Sequence, residues 1–109
     1  MPKYLLHVNY VGEGFKGLLK EGGTKRRAAA DQLVASTGGS IEAMYYALGD
    51  TDCFVITDMP DQASAVAASL ALNASGAITS RVTPLMTVED MDQVSQKSPS
   101  YRPPGSSSS

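Results

Sequence analysis

The sequence predicts an α+β fold made of two strand–helix–strand units in succession, and three observations support it. Residues 45–56 hold two apolar runs around Gly49-Asp50-Thr51, a pattern typical of antiparallel strands joined by a short turn. Residues 63–74 place alanine, valine and leucine at helical spacing. Glycines at positions 38, 39 and 76 follow the two predicted helices, where a chain commonly leaves the helical conformation.

The first part of the chain is predicted to contain a strand, a loop and a helix. Residues 3–10 are largely apolar in both alternating sets, which indicates a central strand covered on both faces. Residues 11–23 contain five glycines, so we expect a loop with at most one short helical turn. Thr24 is the predicted cap of a helix that runs to about Thr37.

The middle of the chain is predicted to form a β-hairpin followed by a second helix. Residues 40–48 and 52–57 alternate in the manner of strands, and the short connection between them requires antiparallel pairing. Pro60 is predicted at the first helical position, with Asp61 near the positive end of the helix dipole. This helix is expected to end within residues 73–76.

The last part is predicted to hold one more strand, a short helix and a tail. Residues 77–86 form the strand, and Pro84 near its end favours an edge position. Thr87 is the predicted cap of the short helix. Residues 95–109 are rich in serine and proline and cannot bury a face, so we expect a disordered tail after a single domain of residues 1–94.

The order β-α-β-β-α-β, with a short C-terminal helix, predicts the ferredoxin-like arrangement. Right-handed crossovers would place both long helices on one face of a four-stranded sheet. Leucine, tyrosine and valine are available for the other face as well, which a single subunit would leave exposed. Large exposed apolar surfaces usually mark interfaces, so we expect a homodimer or higher assembly packed sheet to sheet.

Composition excludes several classes of function. The 109 residues carry a net charge of -2, whereas a nucleic-acid-binding protein usually shows a basic stripe or balance. The single cysteine cannot form an internal disulfide, which fits a reducing compartment. No apolar run approaches the length of a membrane span, and the N-terminus lacks a signal-peptide layout. A soluble cytoplasmic protein, bound to neither nucleic acid nor membrane, is therefore expected.

The hairpin resembles a known family. Tyr45-x-x-x-Gly49-x-x-Asp52, followed by an apolar strand and Pro60-Asp61, is similar to the GYD family of small bacterial proteins, named for a Gly-Tyr-Asp element at this position. Further agreement over roughly residues 2–94 comes from Pro2-Lys3-Tyr4, Asn9, Arg26 or Arg27, Gly38-Gly39, Ala74-x-Gly76 and Thr87-x-Glu89-Asp90. The chain departs from the family at Thr51, where a tyrosine is usual.

The resemblance implies the dimeric α/β-barrel relationship, in agreement with the strand order. It implies no settled activity, because relatives with that fold include cofactor-free monooxygenases, lactone isomerases, haem enzymes and ligand-sensing domains. Fold alone does not choose among them. With Thr51 at this position, the chain lacks the phenol that the family's tyrosine would supply.

His7, the only histidine, is a candidate catalytic residue on the predicted central strand. One histidine cannot build a His-rich metal site, so neither a metal nor another cofactor is predicted. The ring is either a hydrogen-bonded core residue or a general base, since an ordinary pKa near 6.5 suits proton transfer. If Asn9 shares its face, both side chains would present polar groups to a pocket between sheet and helices.

The hairpin contributes the other candidates. Asp52 is either a turn carboxylate that accepts backbone N–H groups or a buried base at a pocket mouth. Tyr45 and Tyr46 point to opposite faces, so one faces the helices and the other the partner subunit. Each is either a core residue or a phenol that orients a ligand. Gly49 is predicted to serve the turn through a positive φ angle.

Two arginines complete the set of candidate ligand-binding residues. Arg26 follows Gly22-Gly23-Thr24 at a predicted helix start. The free N–H groups and basic residues there either bind an anion or form a solvated basic face. Arg81 on the last strand could reach a carboxylate ligand or pair with a surface acid. Cys53 is expected to be a small buried hydrophobic residue.

Two functions of different classes follow from these residues. The favoured one is a non-catalytic homo-oligomer that binds a small apolar or aromatic molecule, or another protein. The alternative is a cofactor-free monooxygenase- or isomerase-like enzyme for a small aromatic or quinone-like substrate. Its catalytic residues would be His7, Tyr45 and Asp52, and its ligand-binding residues would be Asn9, Tyr46, Arg26 and Arg81. A closed pocket reached by His7 and a tyrosine would support the enzyme.

Overall fold

The computed structural model describes residues 1–105 as four strands and three helices. In chain order these are β1 (Lys3–Tyr10), α1 (Gly14–Ser36), β2 (Ser40–Tyr46), β3 (Cys53–Asp58), α2 (Gln62–Ala74), β4 (Ile78–Leu85) and α3 (Val88–Ser95). Residues 96–105 follow α3, contain neither helix nor strand and are exposed. The part of the predicted disordered tail that comprises residues 106–109 lies outside the described residues.

The four strands form one antiparallel sheet in the order β2-β3-β1-β4. The prediction that β1 is central is therefore confirmed, and so is the edge position that Pro84 gives β4. The chain is thus an α+β domain with a four-stranded antiparallel sheet and three helices, an architecture compatible with the ferredoxin-like fold.

One face of the sheet carries the core. The side chains of Tyr4, Leu6, Val8 and Tyr10 are buried, whereas those between them along β1 are only partly buried. The buried set packs with Cys53, Val55 and Ile78 of the sheet and with Val34, Ala65 and Ala68 of the helices. In a single subunit β1 is covered on one face only, because both long helices lie on the same side, as the predicted arrangement requires. Cover of the other face by a second subunit stays a prediction.

Helix α1 begins ten residues earlier than the predicted cap at Thr24. The glycine-rich segment was wrongly expected to be a loop, because Gly14 and Gly17 both lie within the helix. Gly22 alone leaves the helical conformation, at φ 83° and ψ 168°, and produces a kink. Glycine costs a helix about 1 kcal/mol relative to alanine, and packing of Leu18 against the core offsets such a cost.

The two remaining helices have well-defined starts. Asp61 caps α2 by accepting the Ser64 N–H at 2.8 Å. Hydrogen bonds from the Ser64 side chain and from its N–H lower the pKa of the Asp61 carboxyl group. Pro60 therefore lies before the helix, not at its first position as predicted. Thr87 caps α3 as predicted, and a reciprocal bond from Asp90 completes a capping box.

Candidate functional site

The hairpin loop is held to the end of β1 by the side chains of Asn9 and Asp52. The Asp52 N–H donates to Asn9 Oδ1 at 2.8 Å and to the Val8 carbonyl at 3.1 Å. Asp52 Oδ2 accepts the Tyr10 N–H at 3.0 Å, and Asn9 Nδ2 donates to the Asp50 carbonyl at 3.0 Å. Asp52 therefore has the contacts of a turn carboxylate that accepts a backbone N–H.

The rest of the loop shows how this turn is formed. Gly49 has a φ of 138°, the positive value predicted for it. Ala47 donates its N–H to the Asp52 carbonyl at 2.8 Å and closes the loop. Thr51, at the position where a tyrosine is usual in the family it resembles, is buried with 7% of its surface exposed. The small side chain thus occupies an enclosed position and contributes no phenol to a site.

A small cavity of about 50 Å³ lies between α1 and the sheet, and we call it the Arg26 cavity. Its walls are mostly aliphatic and include Leu6, Val8, Val55, Ala30 and Leu33. A more open recess of about 260 Å³ shares Tyr10, Arg26 and Ile78 with it and adds Glu13 and Glu21; we call it the Glu21 recess. Arg26 thus stands where an apolar cavity meets a polar opening.

The Arg26 guanidinium is incompletely hydrogen-bonded. Its Nη1 lies 3.3 Å from Glu21 Oε2, and 27% of its side chain is exposed. Its Nε is buried and has no hydrogen-bond partner within residues 1–105. Burial disfavours the charged guanidinium, but hydrogen bonds to Glu21 and Tyr10 outweigh that effect and raise the pKa of Arg26. A charged donor is therefore held in the cavity wall with one N–H unused.

Two further titratable groups near Arg26, Tyr46 and Cys53, have their neutral forms favoured. Burial raises the pKa of the Tyr46 phenol to about 12, with an added contribution from Tyr10 and an opposing one from Arg26. Burial also raises the pKa of the Cys53 thiol to about 11, with Asp52 adding to the effect. Cys53 is only 1% exposed, so the prediction of a small buried hydrophobic residue is confirmed.

An apolar groove of about 420 Å³ separates the first segment of α1 from the hairpin loop. We call it the hairpin groove; its lining includes Phe15, Leu18, Leu19, Tyr46, Leu48 and Asp52. Leu19 and Leu48 are 83% and 103% exposed, which is unusual for large aliphatic side chains that lie close together. The hairpin groove is therefore a surface that a partner or ligand could cover.

Neither α1 nor α2 packs on the second face of the sheet, and we call this face the open face. Strand register places on it the side chains of Lys3, Leu5, His7, Asn9, Tyr45, Phe54, Ile56, Asp58, Thr79, Arg81 and Thr83. Lys3 Nζ lies 2.8 Å from Asp58 Oδ1, whereas Tyr45 is 67% exposed. The open face thus combines apolar side chains with charges of both signs.

His7 lies in the middle of the open face. Its Nε2 is 3.0 Å from Thr83 Oγ1, and its ring meets Phe54 edge to face at a centroid distance of 5.6 Å. Its Nδ1 is buried without a partner in the described part of the chain. Burial lowers the pKa of His7, and the nearby Arg81 lowers it further.

The structure separates the predicted site residues into two groups. His7, Asn9, Tyr45 and Arg81 are on the open face, so His7 and Asn9 do not reach the space between sheet and helices. Tyr46, Arg26 and Asp52 border the cavities on the helix side. The proposed catalytic set of His7, Tyr45 and Asp52 is therefore not gathered in any of the three cavities described above.

Sequence reasoning missed two residues of the helix-side site. Glu21 pairs with Arg26 at 3.3 Å, and Tyr10 also interacts with the guanidinium. Glu21 precedes Arg26 by five residues, a spacing that is not characteristic of pairs on a regular helix, and the kink at Gly22 lies between them. The end of β1 indicated an aromatic residue there, but not which face it would occupy.

Within residues 1–105, no group of three or more histidine, cysteine, aspartate or glutamate side chains is arranged to hold a metal ion. No helix in that part of the chain combines the length and apolarity needed to cross a membrane.

The fold and the hairpin together define the class of protein: a small α+β domain whose antiparallel sheet carries a Gly49–Asp52 turn fastened to its central strand. The model of the GYD domain family matches residues 4–94, which is most of the chain. The chain therefore belongs to the GYD domain family. Comparisons with curated proteins and with solved structures found no match.

Proposed function

We propose that this chain is a homodimeric binding domain that takes a small, largely apolar molecule in the Arg26 cavity and the adjoining Glu21 recess. The observation that carries the proposal is the buried Arg26 Nε, which has no partner within residues 1–105. A buried donor without an acceptor costs about 1–3 kcal/mol, so an acceptor atom supplied by a ligand would recover that energy.

The surroundings of Arg26 favour a neutral acceptor on the ligand. Glu21 already balances the guanidinium at 3.3 Å, and Glu13 adds a second carboxylate to the recess. A further anion would be repelled by both, whereas a carbonyl or phenol oxygen would not. The aliphatic walls of the Arg26 cavity suit the apolar body of the same molecule.

The volumes limit the size of this ligand. Cavities of about 50 and 260 Å³ together reach only the lower end of the range that is typical of small-molecule sites, about 300–1,000 Å³. A single-ring aromatic ketone, phenol or quinone is therefore the class that we expect.

The dimeric part of the proposal rests on the open face. Leu5, Phe54 and Ile56 give it an apolar centre, while Lys3 and Asp58 provide opposite charges at one end. In a two-fold dimer the same patch meets itself, so a surface with both charge signs can pair with its copy. A sheet-to-sheet pair of this kind would have the dimeric α/β-barrel relationship. We expect it in the cytoplasm, where the free Cys53 thiol stays reduced.

The alternative, a cofactor-free enzyme for a small aromatic or quinone-like substrate, has weaker support. Such an enzyme needs its base within hydrogen-bond reach of the reacting proton. His7 and Tyr45 are on the open face, whereas the Arg26 cavity is on the helix side. Binding without chemistry is therefore the function that the geometry supports better.

An NMR titration tests ligand binding. Acetophenone, a neutral single-ring ketone, is added to the full chain while the arginine Nε–H resonances are followed in ¹H–¹⁵N spectra. We expect the Arg26 Nε–H signal to shift saturably, and we expect the Arg26→Leu variant to lose binding. Arg27→Leu is the matched control, since Arg27 is the next residue and pairs with Asp31 at 3.1 Å. Equal binding by both variants would reject the site.

Sedimentation tests the dimer separately. We expect the wild-type chain to sediment as a dimer at micromolar concentration. Tyr45→Asp, on the open face, should dissociate it, whereas Arg27→Leu should not. A monomeric wild-type chain would contradict the predicted dimer. Ligand binding at Arg26 would still be decided separately by the NMR titration.

A further inference from the structure

Residues 14–21, the first segment of α1, are attached to the rest of the molecule at few points, and we call them the lid segment. Within this segment Gly14 is buried and Leu18 is half-buried, whereas the other residues are exposed. Gly14 closely approaches the Ala77 carbonyl, and Leu18 packs on the hydrophobic core. Segments with few buried apolar contacts open more readily than the core does.

Glycines with positive φ angles flank the lid segment. Gly12 has a φ of 53°, and Gly22 has a φ of 83° with a non-helical ψ of 168°. A β carbon at either position would meet no atom within 4 Å, so it is the backbone angle that favours glycine there. Positions of this kind can absorb the change in backbone angles that a hinge requires. The lid segment can therefore move without residues 23–36, the second segment of α1.

Open space borders the lid segment on two sides. The Glu21 recess, about 260 Å³, is lined by Gly14, Gly17 and Leu18 of the segment. The hairpin groove, about 420 Å³, is lined by Leu18 and Leu19. Leu18 thus lies between the two spaces, and a shift of the segment toward either one would displace few packed side chains.

The lid segment also lies on the path to the Arg26 cavity. Leu18 packs against a cluster whose members also line that cavity, namely Leu6, Val8, Tyr10, Cys53, Val55 and Ile78. The cavity alone, at about 50 Å³, is far smaller than the about 300 Å³ at the lower end of small-molecule sites. An aromatic ring must therefore extend into the Glu21 recess, and the lid segment forms one wall of that recess.

Two side-chain contacts hold the lid segment against the body of the protein at the recess. Glu21 Oε2 lies 3.3 Å from Arg26 Nη1, and these two residues are on opposite sides of Gly22. This ion pair therefore bridges the kink and ties the end of the lid segment to the second segment of α1. Near the other end, the rings of Phe15 and Tyr10 meet at a centroid distance of 5.7 Å.

From these observations we infer that the lid segment swings about Gly12 and Gly22 and controls access to the Arg26 cavity. In the closed position Leu18 blocks the passage, and the Glu21–Arg26 ion pair holds the segment in place. Opening withdraws Leu18 and widens the Glu21 recess, so that a ring can enter. The inference rests on the proposed function for the identity of the ligand, but the opening itself takes place without a ligand.

The only cysteine of the chain can report on this opening, because Cys53 is 1% exposed and lines the Arg26 cavity. Methyl methanethiosulfonate, a small thiol reagent, is added to the full chain without ligand, and modification is followed by mass spectrometry at several low urea concentrations. We expect a rate that changes little with urea, because a moving lid exposes far less surface than global unfolding does. A urea dependence as steep as that of global unfolding would overturn the inference.

Removal of the ion pair tests the lid itself. Glu21→Ala removes the contact across the kink, and Asp31→Ala is the matched control, since Asp31 pairs with Arg27 at 3.1 Å on the second segment of α1. We expect Glu21→Ala to raise the modification rate about two- to fivefold, the range that corresponds to a partly exposed ion pair. Asp31→Ala should leave the rate unchanged. Equal rates for Glu21→Ala and wild type would also overturn the inference, because the reagent would then enter by another route.

The same reaction in the presence of acetophenone separates the lid from the ligand. We expect saturating acetophenone to slow the modification of Cys53, because a ring in the cavity would block the reagent. If acetophenone has no effect while Glu21→Ala still raises the rate, the lid is supported and the binding part of the proposed function fails.

Discussion

Asn9 and Asp52 hold each other across the end of the sheet: Asn9 Oδ1 accepts the Asp52 N–H at 2.8 Å, and Asp52 Oδ2 in turn accepts the N–H of Tyr10, the residue after Asn9. This reciprocal arrangement fastens the hairpin loop to β1. Because Tyr10 borders the Arg26 cavity, the fastening also positions one wall of the candidate binding site.

Removal of the Asp52 carboxylate should destabilise the fold. Asp52→Ala leaves the Tyr10 N–H without its acceptor, so we expect the free energy of unfolding to fall by about 1–3 kcal/mol in urea titrations. Asp52→Asn keeps an acceptor and should recover most of the loss. Asp50→Ala is the control, because Asp50 contributes its backbone carbonyl to the turn. Equal stability of Asp52→Ala and wild type would refute the structural role.

Alanine substitutions at two glycines of α1 should change the free energy of unfolding in opposite directions. A β carbon at Gly14 would collide with the Ala77 carbonyl, so Gly14→Ala should cost about 1–3 kcal/mol of stability. A β carbon at Gly17 meets no atom within 4 Å, and alanine is favoured in helices. Gly17→Ala should therefore gain about 0.5–1 kcal/mol. Thermal or urea unfolding of the pair checks both signs; a gain from Gly14→Ala would contradict the close approach.

The buried thiol should make stability depend on pH in the alkaline range. The pKa of Cys53 rises from 9.0 to about 11 on folding. Its contribution to the free energy of unfolding is therefore complete below pH 9 and is lost as pH rises through 11. A pKa change of this size corresponds to about 2–3 kcal/mol of unfolding free energy. The thiol's contribution is isolated by comparing the free energies of unfolding of wild type and Cys53→Ala between pH 8 and pH 11. Identical pH profiles would show that burial does not perturb the thiol.

His7 should make the proposed dimer sensitive to acid. Burial and the nearby Arg81 already lower the pKa of His7 in a single subunit. A second subunit packed on the open face would remove more water from the ring and disfavour its charged form further, so we expect association to be favoured above pH 6.5 and to weaken as pH falls. Lys3 and Arg81 share this face, and Asp58 pairs with Lys3. A protonated His7 would add like charge next to Arg81.

We therefore expect sedimentation to show weaker association at pH 5.5 than at pH 8. The His7→Gln variant, which cannot gain a proton in this range, should show little change between the two values. A wild-type dimer that is unchanged at pH 5.5 would exclude His7 as the sensitive group.

Local patterns were sufficient for much of the architecture. The hairpin around Gly49, the cap at Thr87 and the edge position of Pro84 each depend on neighbouring residues alone, and each was predicted correctly. The start of α1 was predicted wrongly. Local propensity disfavours glycine in a helix, but packing of residues such as Leu18 against the core offsets that cost.

The sequence by itself determined the order of elements, the family and which residues share a strand face. Alternation shows that His7 and Asn9 point the same way and that Tyr10 points the other way, but it does not show which face the helices cover when both faces are apolar. Only the tertiary structure decided that the helices cover the Tyr10 face. That choice gathers Tyr10, Arg26 and Glu21 around a cavity and leaves His7 on the open face, because a side chain's surroundings depend on contacts between residues far apart in the chain.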